Sequence, residues 1–435
     1  MKYNITKVQA PKMPTLGKGL ECIKLLLTQT SKDMHQPLVP MLFPLLGAHV
    51  SGTEFQYPDR SWKELCGMMA NLVAASGANK GQLSQLCEAI CRSFRQHDQL
   101  VVNELVEWQR KVKTLGSNKE KPARPEVAFW MPPSDVTAPA FLQNAMAMEK
   151  QGGRTQCLNM PEVEMADRLC GGHRQVSLMM RNIYDRQRAG ALRATAEGVT
   201  GNPILRANIT FSSTPLTTRQ FYRHDLFNGA FGRIVMSYKP RNGRDGRIPR
   251  QGQYDESFLQ QLDGFLLRLS ESRGRHIIQP LNRLTDRLAM DMADVADMTD
   301  NDDLWDLSKR AIASAWKAGC VMWLLNNQVW TKAMGDMVEW LVYHDMWSKL
   351  QIAGDLISQN PDVERQAQTK GPKNMLTDLP ETFSRMQLLA LRQTLQMSEE
   401  GTDGQLYKWA QRGFITRIEE TGMYQKTESF LNRTA

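Results

Sequence analysis

Residues Met68 to Leu86 read MMANLVAASGANKGQLSQL, and the rest of the chain is organised around them. A short apolar run ends in small residues, a lysine follows, and a helix-period pattern begins. That is the layout of a strand, a phosphate-cradling loop and a helix. Small residues let backbone N–H groups curl around an anion. The helix N-terminus brings its positive dipole end to the same point. Lys80 would then reach the outer phosphates of a nucleotide.

Set against G-x-x-x-x-G-K-[ST], the segment reads Ala74-Ala75-Ser76-Gly77-Ala78-Asn79-Lys80-Gly81. Ala74 stands for the first glycine and Asn79 for the second. Asparagine is the non-glycine residue that best tolerates a left-handed backbone. Gly81 replaces the hydroxyl that touches magnesium. The candidate nucleotide site is therefore Ser76, Gly77, Ala78, Asn79, Lys80, Gly81 and Gln82, with ATP as ligand and Mg2+ as its weakly provided companion. The plain alternative is a glycine-containing strand-to-helix turn.

The 435 residues suffice for two or three domains. No apolar run reaches the ~20 residues that span a bilayer, and the start MKYNITKVQAPKMP lacks the apolar segment of a signal peptide. The expectation is a cytoplasmic protein without membrane partners. Seven cysteines show no CxxC pair and no zinc spacing, so no metal site is expected. The net charge of +8 is uneven: Gly171 to Arg250 holds fourteen Lys or Arg against four Asp or Glu. A basic stretch beside a phosphate site points to a polyanion, nucleic acid first.

In chain order, residues 1–60 read as an N-terminal helical cap, with Pro37, Pro40 and Pro44 punctuating PLVPMLFPLLGAHV. Residues 61–250 read as α/β. Strands are expected at Met69–Ala75, Glu126–Trp130, Thr155–Met160 and Pro203–Thr214, and helices at Gln82–Arg95, 97–120 and Ala138–Lys150. Alternation of this kind gives a mainly parallel sheet. Glu162 follows a strand in QCLNMPEVEMA, where the acid that polarises water sits in P-loop ATPases, although Pro161 occupies the preceding acidic slot. Asn208, Ser212 and Ser213 are candidates for sensing a γ-phosphate. Arg174, Arg181, Arg186, Arg188 and Arg193 are candidates for gripping single-stranded or double-stranded DNA. Arg233, in FNGAFGRIVMSYKPR, is a candidate arginine finger.

Residues 251–360 read as a helical bundle with six tryptophans as core anchors. Residues 285–303 carry seven Asp and one Arg and read as an exposed acidic face. Residues 361–380 read as a linker. In 381–435, helix SRMQLLALRQTL, helix QLYKWAQRGFI and hairpin TRIEETGMYQKT follow winged-helix grammar, with Lys408, Arg412 and Arg417 as candidate phosphate contacts.

Together NLVAASGANKGQL, KEKPARPEVAFWMPPSD, GGRTQCLNMPEVEMA, GGHRQVSLMMRNIYDRQRAGALRATAEGVTGNP and GAFGRIVMSYKPR resemble a domain-of-unknown-function family of RecA-like P-loop proteins. That family is carried on conjugative elements, mobilisable elements and prophages of gut bacteria, often beside primase or single-strand-binding domains. The resemblance implies a RecA-like P-loop NTPase core with flanking helical regions. It implies Lys80 as the P-loop lysine, Glu162 as the acidic strand-end residue and Arg233 as the arginine after the glycine turn. Asn79 departs from the family, which has glycine there. The function implied is a homo-oligomeric, helicase-like or primase-helicase-like NTPase acting on DNA in replication or transfer of a mobile element, with a primase or relaxase partner. The rival is a catalytically degenerate DNA-binding scaffold, which Asn79, Gly81 and Pro161 favour.

Overall fold

The computed structural model describes residues 9–115, 120–169, 176–190, 200–222, 229–241, 252–299, 301–357, 375–395, 397–428 and 430–431. Met69–Ala74 is a strand whose six residues are all buried. Strand Ala207–Ser213 pairs with it in parallel on one side, Met69 opposite Ile209. Strand Val235–Lys239 pairs in parallel on the other, Ala70 opposite Val235. Strand Gln156–Met160 lies outside Ala207–Ser213, again in parallel. The protein is thus mixed α/β with a four-stranded, all-parallel sheet. A sheet covered on both faces needs near-continuous apolar strands, and MANLVA is one.

Three expected elements differ. Glu126–Trp130 is not a strand. Trp130 O accepts one sheet-type bond from Cys157 N (2.8 Å), but side chains serve the backbone on either side of it: Asn144 serves Phe129, and the Asp98 carboxylate accepts from Trp130 N and Met131 N, both at 2.8 Å. The helix expected over Gln82–Arg95 breaks at Cys91 into Gly81–Ile90 and Arg92–Thr114. The proline-punctuated segment is one continuous helix, Lys32–Gly47, with all three prolines inside it. Each interior proline costs roughly 3 kcal/mol. Burial of twelve of the sixteen residues offsets that cost.

This helix is no peripheral cap, because it lies against the sheet. Ser237 Oγ donates to Pro37 O (2.8 Å), and Asn208 Nδ2 donates to Pro44 O (3.1 Å). One apolar core runs from Leu20 through the sheet to Ala353, so the expected boundaries at 60 and 250 do not separate packed units. The bundle follows the expected periodicity: helices Glu256–Ser270, Gln279–Thr299, Asp302–Leu325 and Lys332–Ile357. A second small sheet ties the amino-terminal region to it, with Thr53–Gln56 between Trp62–Lys63 and Gly274–His276.

The carboxyl-terminal residues form their own core around Phe383, Leu388, Leu406, Trp409 and Phe414. Helices Arg385–Thr394 and Gly401–Gln411 precede strands Ile415–Arg417 and Tyr424–Lys426, and the latter also pairs with Thr382–Phe383. Ser384 and Gln387 close a reciprocal capping box on the first helix. Part of the acidic face expected to be solvated is instead a dock for this unit. Asp297 binds Arg412 Nε at 2.8 Å, Asp294 lies 3.4 Å from Arg412 Nη1, and Asp297 O accepts from Trp409 Nε1 (3.2 Å). Arg412 is therefore held by carboxylates on the bundle.

Candidate nucleotide site and a second cavity

The loop after Met69–Ala74 leaves the carboxyl end of the sheet's inner strand. Chain connections run from this strand toward Gln156–Met160 on one side, and from Ala207–Ser213 toward Val235–Lys239 on the other. Reversal of that kind opens a crevice at the strand ends, where open parallel sheets take their ligands. Gly77 has φ +76° and Asn79 φ +62°, so the two residues suited to a left-handed backbone are the two that adopt it. Lys80 caps helix Gly81–Ile90 at its amino end. Within the loop, Ala78 N donates to Ala75 O (3.2 Å) and Gln82 N to Asn79 O (3.3 Å). The amides of Gly77, Asn79, Lys80 and Gly81 have no backbone acceptor among the described residues. Ser76, Gly77 and Gly81 are exposed, and a Cβ added at either glycine would meet nothing within 4 Å. The arrangement can present a row of N–H donors, a helix dipole and one ammonium group to an anion.

Gln82 does not belong to that row by its side chain. It is buried and ties the loop's helix to the amino end of helix Lys32–Gly47: Oε1 accepts from Ser31 N and Nε2 donates to Ser31 Oγ, both at 3.1 Å. Glu162 is exposed just past Gln156–Met160, at the same end of the sheet as Lys80. One strand intervenes, which sets the two strand ends about 10 Å apart. Ser212 and Ser213 end that intervening strand, but their hydroxyls are engaged. Ser212 Oγ donates to Pro161 O, and Ser213 Oγ bonds Asn71 Oδ1 (3.0 Å) and Thr218 Oγ1 (2.7 Å).

Two candidates lie at the wrong end of the sheet for this site. Asn208 stands beside Met68 and is fully buried. Its Oδ1 accepts from Met68 N (2.9 Å), and its Nδ2 serves Pro44 O and Leu65 O. It stitches backbone together and senses no phosphate. Arg233 precedes Val235–Lys239, so the length of a strand, roughly 16 Å, separates it from the loop. A finger from this arginine to the same subunit's loop is excluded by that span.

Two arginines of the patch, Arg186 and Arg188, are committed within the chain. Arg186 pairs with Glu64, which also holds Arg206 Nε at 2.8 Å. Arg188 donates to Asn202 O (2.8 Å) and lies 3.3 Å from Glu149. Arg181 sits on helix Val176–Tyr184. Arg174 and Arg193 lie outside the described residues.

The amino ends of the strands border a cavity of about 890 Å³ that the sequence reading missed. Arg233, Arg310, Lys317 and Asp185 meet there around Tyr184. Gly67 makes the close approach possible: at φ +70° its missing Cβ would lie 2.6 Å from Tyr184 O. Burial lowers the Lys317 pKa and raises that of Tyr184, and it pushes the nearby Cys66 thiol up to about 11. The available signal was a lysine inside the apolar helix stretch WKAGCVMWLL, where a charge has no solvent to face.

Among the described residues, no helix is long and apolar enough to cross a membrane, and no group of three or more His, Cys, Asp or Glu could hold a metal. No family model matches the chain, and no curated protein matches it. Fold and site together define the class: a mixed α/β protein whose four-stranded parallel sheet carries, at its carboxyl ends, a loop with left-handed Gly77 and Asn79 that leads into a helix.

Proposed function

We propose that the chain binds a nucleoside triphosphate at Ser76–Gly81, as a RecA-like P-loop protein acting with DNA in the replication or transfer of a mobile element. One observation carries the nucleotide reading: a turn with left-handed Gly77 and Asn79 leaves four amides open beside Lys80 at a helix N-terminus. Glu162 at the same end of the sheet supports a water-orienting carboxylate. The residues suit a triphosphate better than its magnesium. Position 81 offers no hydroxyl and position 161 no carboxylate. DNA association rests on the basic excess of residues 171–250, and single strands are its first candidate partner.

A second reading is favoured by Gly81, Pro161 and the distance of Arg233 from the loop: a scaffold that binds nucleotide or DNA without turnover and recruits a primase or relaxase. Two measurements separate the readings. Binding of a fluorescent ATP analogue should be lost in Lys80→Ala, with the melting temperature unchanged. ATP turnover stimulated by single-stranded DNA and abolished in the same variant supports the enzyme. Binding with no turnover supports the scaffold. An analogue that binds wild type and Lys80→Ala equally would falsify the site itself.

A further inference from the structure

The cavity at the amino ends of the strands is electrostatically unbalanced in one corner. Three cations gather round the Tyr184 ring: Lys317 Nζ at 4.9 Å from the ring centroid, the Arg233 guanidinium at 5.6 Å and that of Arg310 at 5.7 Å. One carboxylate answers them. Asp185 binds Arg233 Nη2 at 2.8 Å and is 3.9 Å from Arg310. Lys317 is buried, and its ammonium donates to a backbone carbonyl, Cys66 O, at 2.6 Å. The Arg233 Nε–H is buried with no acceptor. The corner therefore carries an excess of two positive charges in a partly desolvated place. Buried charge without a partner is costly, and an anion that enters removes the cost.

Two of the remaining acids of this cavity are already engaged. Glu64 is already shared by Arg186 and Arg206, and Asp306 pairs with Lys309 at 2.6 Å. Asp59 and Asp303 also line the cavity. They make it bipolar, so a bare polyanion fits it less well than a compact anionic group on a neutral body. Half-buried Tyr57 and Trp62 offer flat apolar surface for such a body. The volume lies within the roughly 300–1,000 Å³ of small-molecule sites.

We propose that this cavity is a second ligand site, separate from the Ser76–Gly81 loop, that takes the phosphomonoester of a nucleotide. The dianion matches the excess of two, and the Arg310 fork and Lys317 reach its oxygens. The nucleotide is either free or the 5′-terminal residue of a nucleic acid strand, which carries the same group.

AMP and adenosine titrated into the full chain by calorimetry test this directly. AMP binds and adenosine does not. Arg310→Ala weakens AMP at least tenfold, while Lys80→Ala leaves AMP affinity unchanged. Arg310 is 41% exposed and its ion pair with Asp185 is long, at 3.9 Å, so its variant keeps a melting temperature close to wild type. Competition against a short single strand with and without a 5′-phosphate assigns the source: displacement of AMP by the phosphorylated strand alone assigns the strand end, and displacement by neither assigns the free nucleotide. The proposal is overturned if AMP does not bind, if adenosine binds equally, or if AMP binding is lost in Lys80→Ala and kept in Arg310→Ala.

Discussion

At the residue scale, the loop turns on which side chains accept a left-handed backbone. Asn79 holds φ +62° where a β-carbon is tolerated only with difficulty. A left-handed residue costs roughly 1–2 kcal/mol for most L-amino acids, less for asparagine and nothing for glycine. Asn79→Ala should therefore lose about 1 kcal/mol in urea denaturation and weaken nucleotide binding, while Asn79→Gly keeps both. Equal stability of the two variants would mean that the turn is not held as described. Lys80 was legible because its place depends on local order alone: apolar run, small residues, lysine, helix. Asn208 and Arg233 were not legible. Asn208 lies at the start of strand Ala207–Ser213 and Arg233 just before strand Val235–Lys239, and a single sequence does not say which end of the sheet faces the loop after Met69–Ala74.

At the element scale, the sheet's edge strand is locked to the bundle by a buried ion pair. Lys349 donates to Asp345 Oδ2 at 2.7 Å and to Gly232 O at 3.1 Å, while Asp345 Oδ1 accepts from Met236 N at 2.7 Å. Both side chains are almost wholly buried. Removing one partner strands the other charge, which costs about 3–5 kcal/mol. Asp345→Ala should lose that much in chemical denaturation and free the Met236 amide to exchange. A loss below 1 kcal/mol would mean that water reaches Lys349. The same logic explains the helix Lys32–Gly47. Its prolines read as loop punctuation because local propensity opposes a helix there. Burial against the sheet is a tertiary term and outweighs it.

At the scale of the whole molecule, burial sets a response to acid. His49 and His344 are both fully enclosed, and burial pushes each pKa down to about 3. In the unfolded chain a histidine titrates near 6.5. Each is a depressed group, so its contribution to stability is complete above pH 6.5 and is lost as pH falls toward 3. In that window the unfolded state binds more protons, and two histidines give a slope of up to about 2.7 kcal/mol per pH unit. Urea midpoints should fall steeply between pH 6 and 4. Replacing both histidines with glutamine should flatten that fall, and an unchanged slope would mean that other groups carry it. The sequence by itself determined what short-range order can specify: the strand, turn and helix around Lys80, the periodic helices of the bundle, and the two helices and hairpin of the carboxyl-terminal unit. Only the tertiary structure decided the strand order, the arginines' ion-pair partners and the charged corner at Tyr184. Those depend on which distant segments meet, and a one-dimensional pattern carries periodicity but not the pairing of residues 100 or more positions apart.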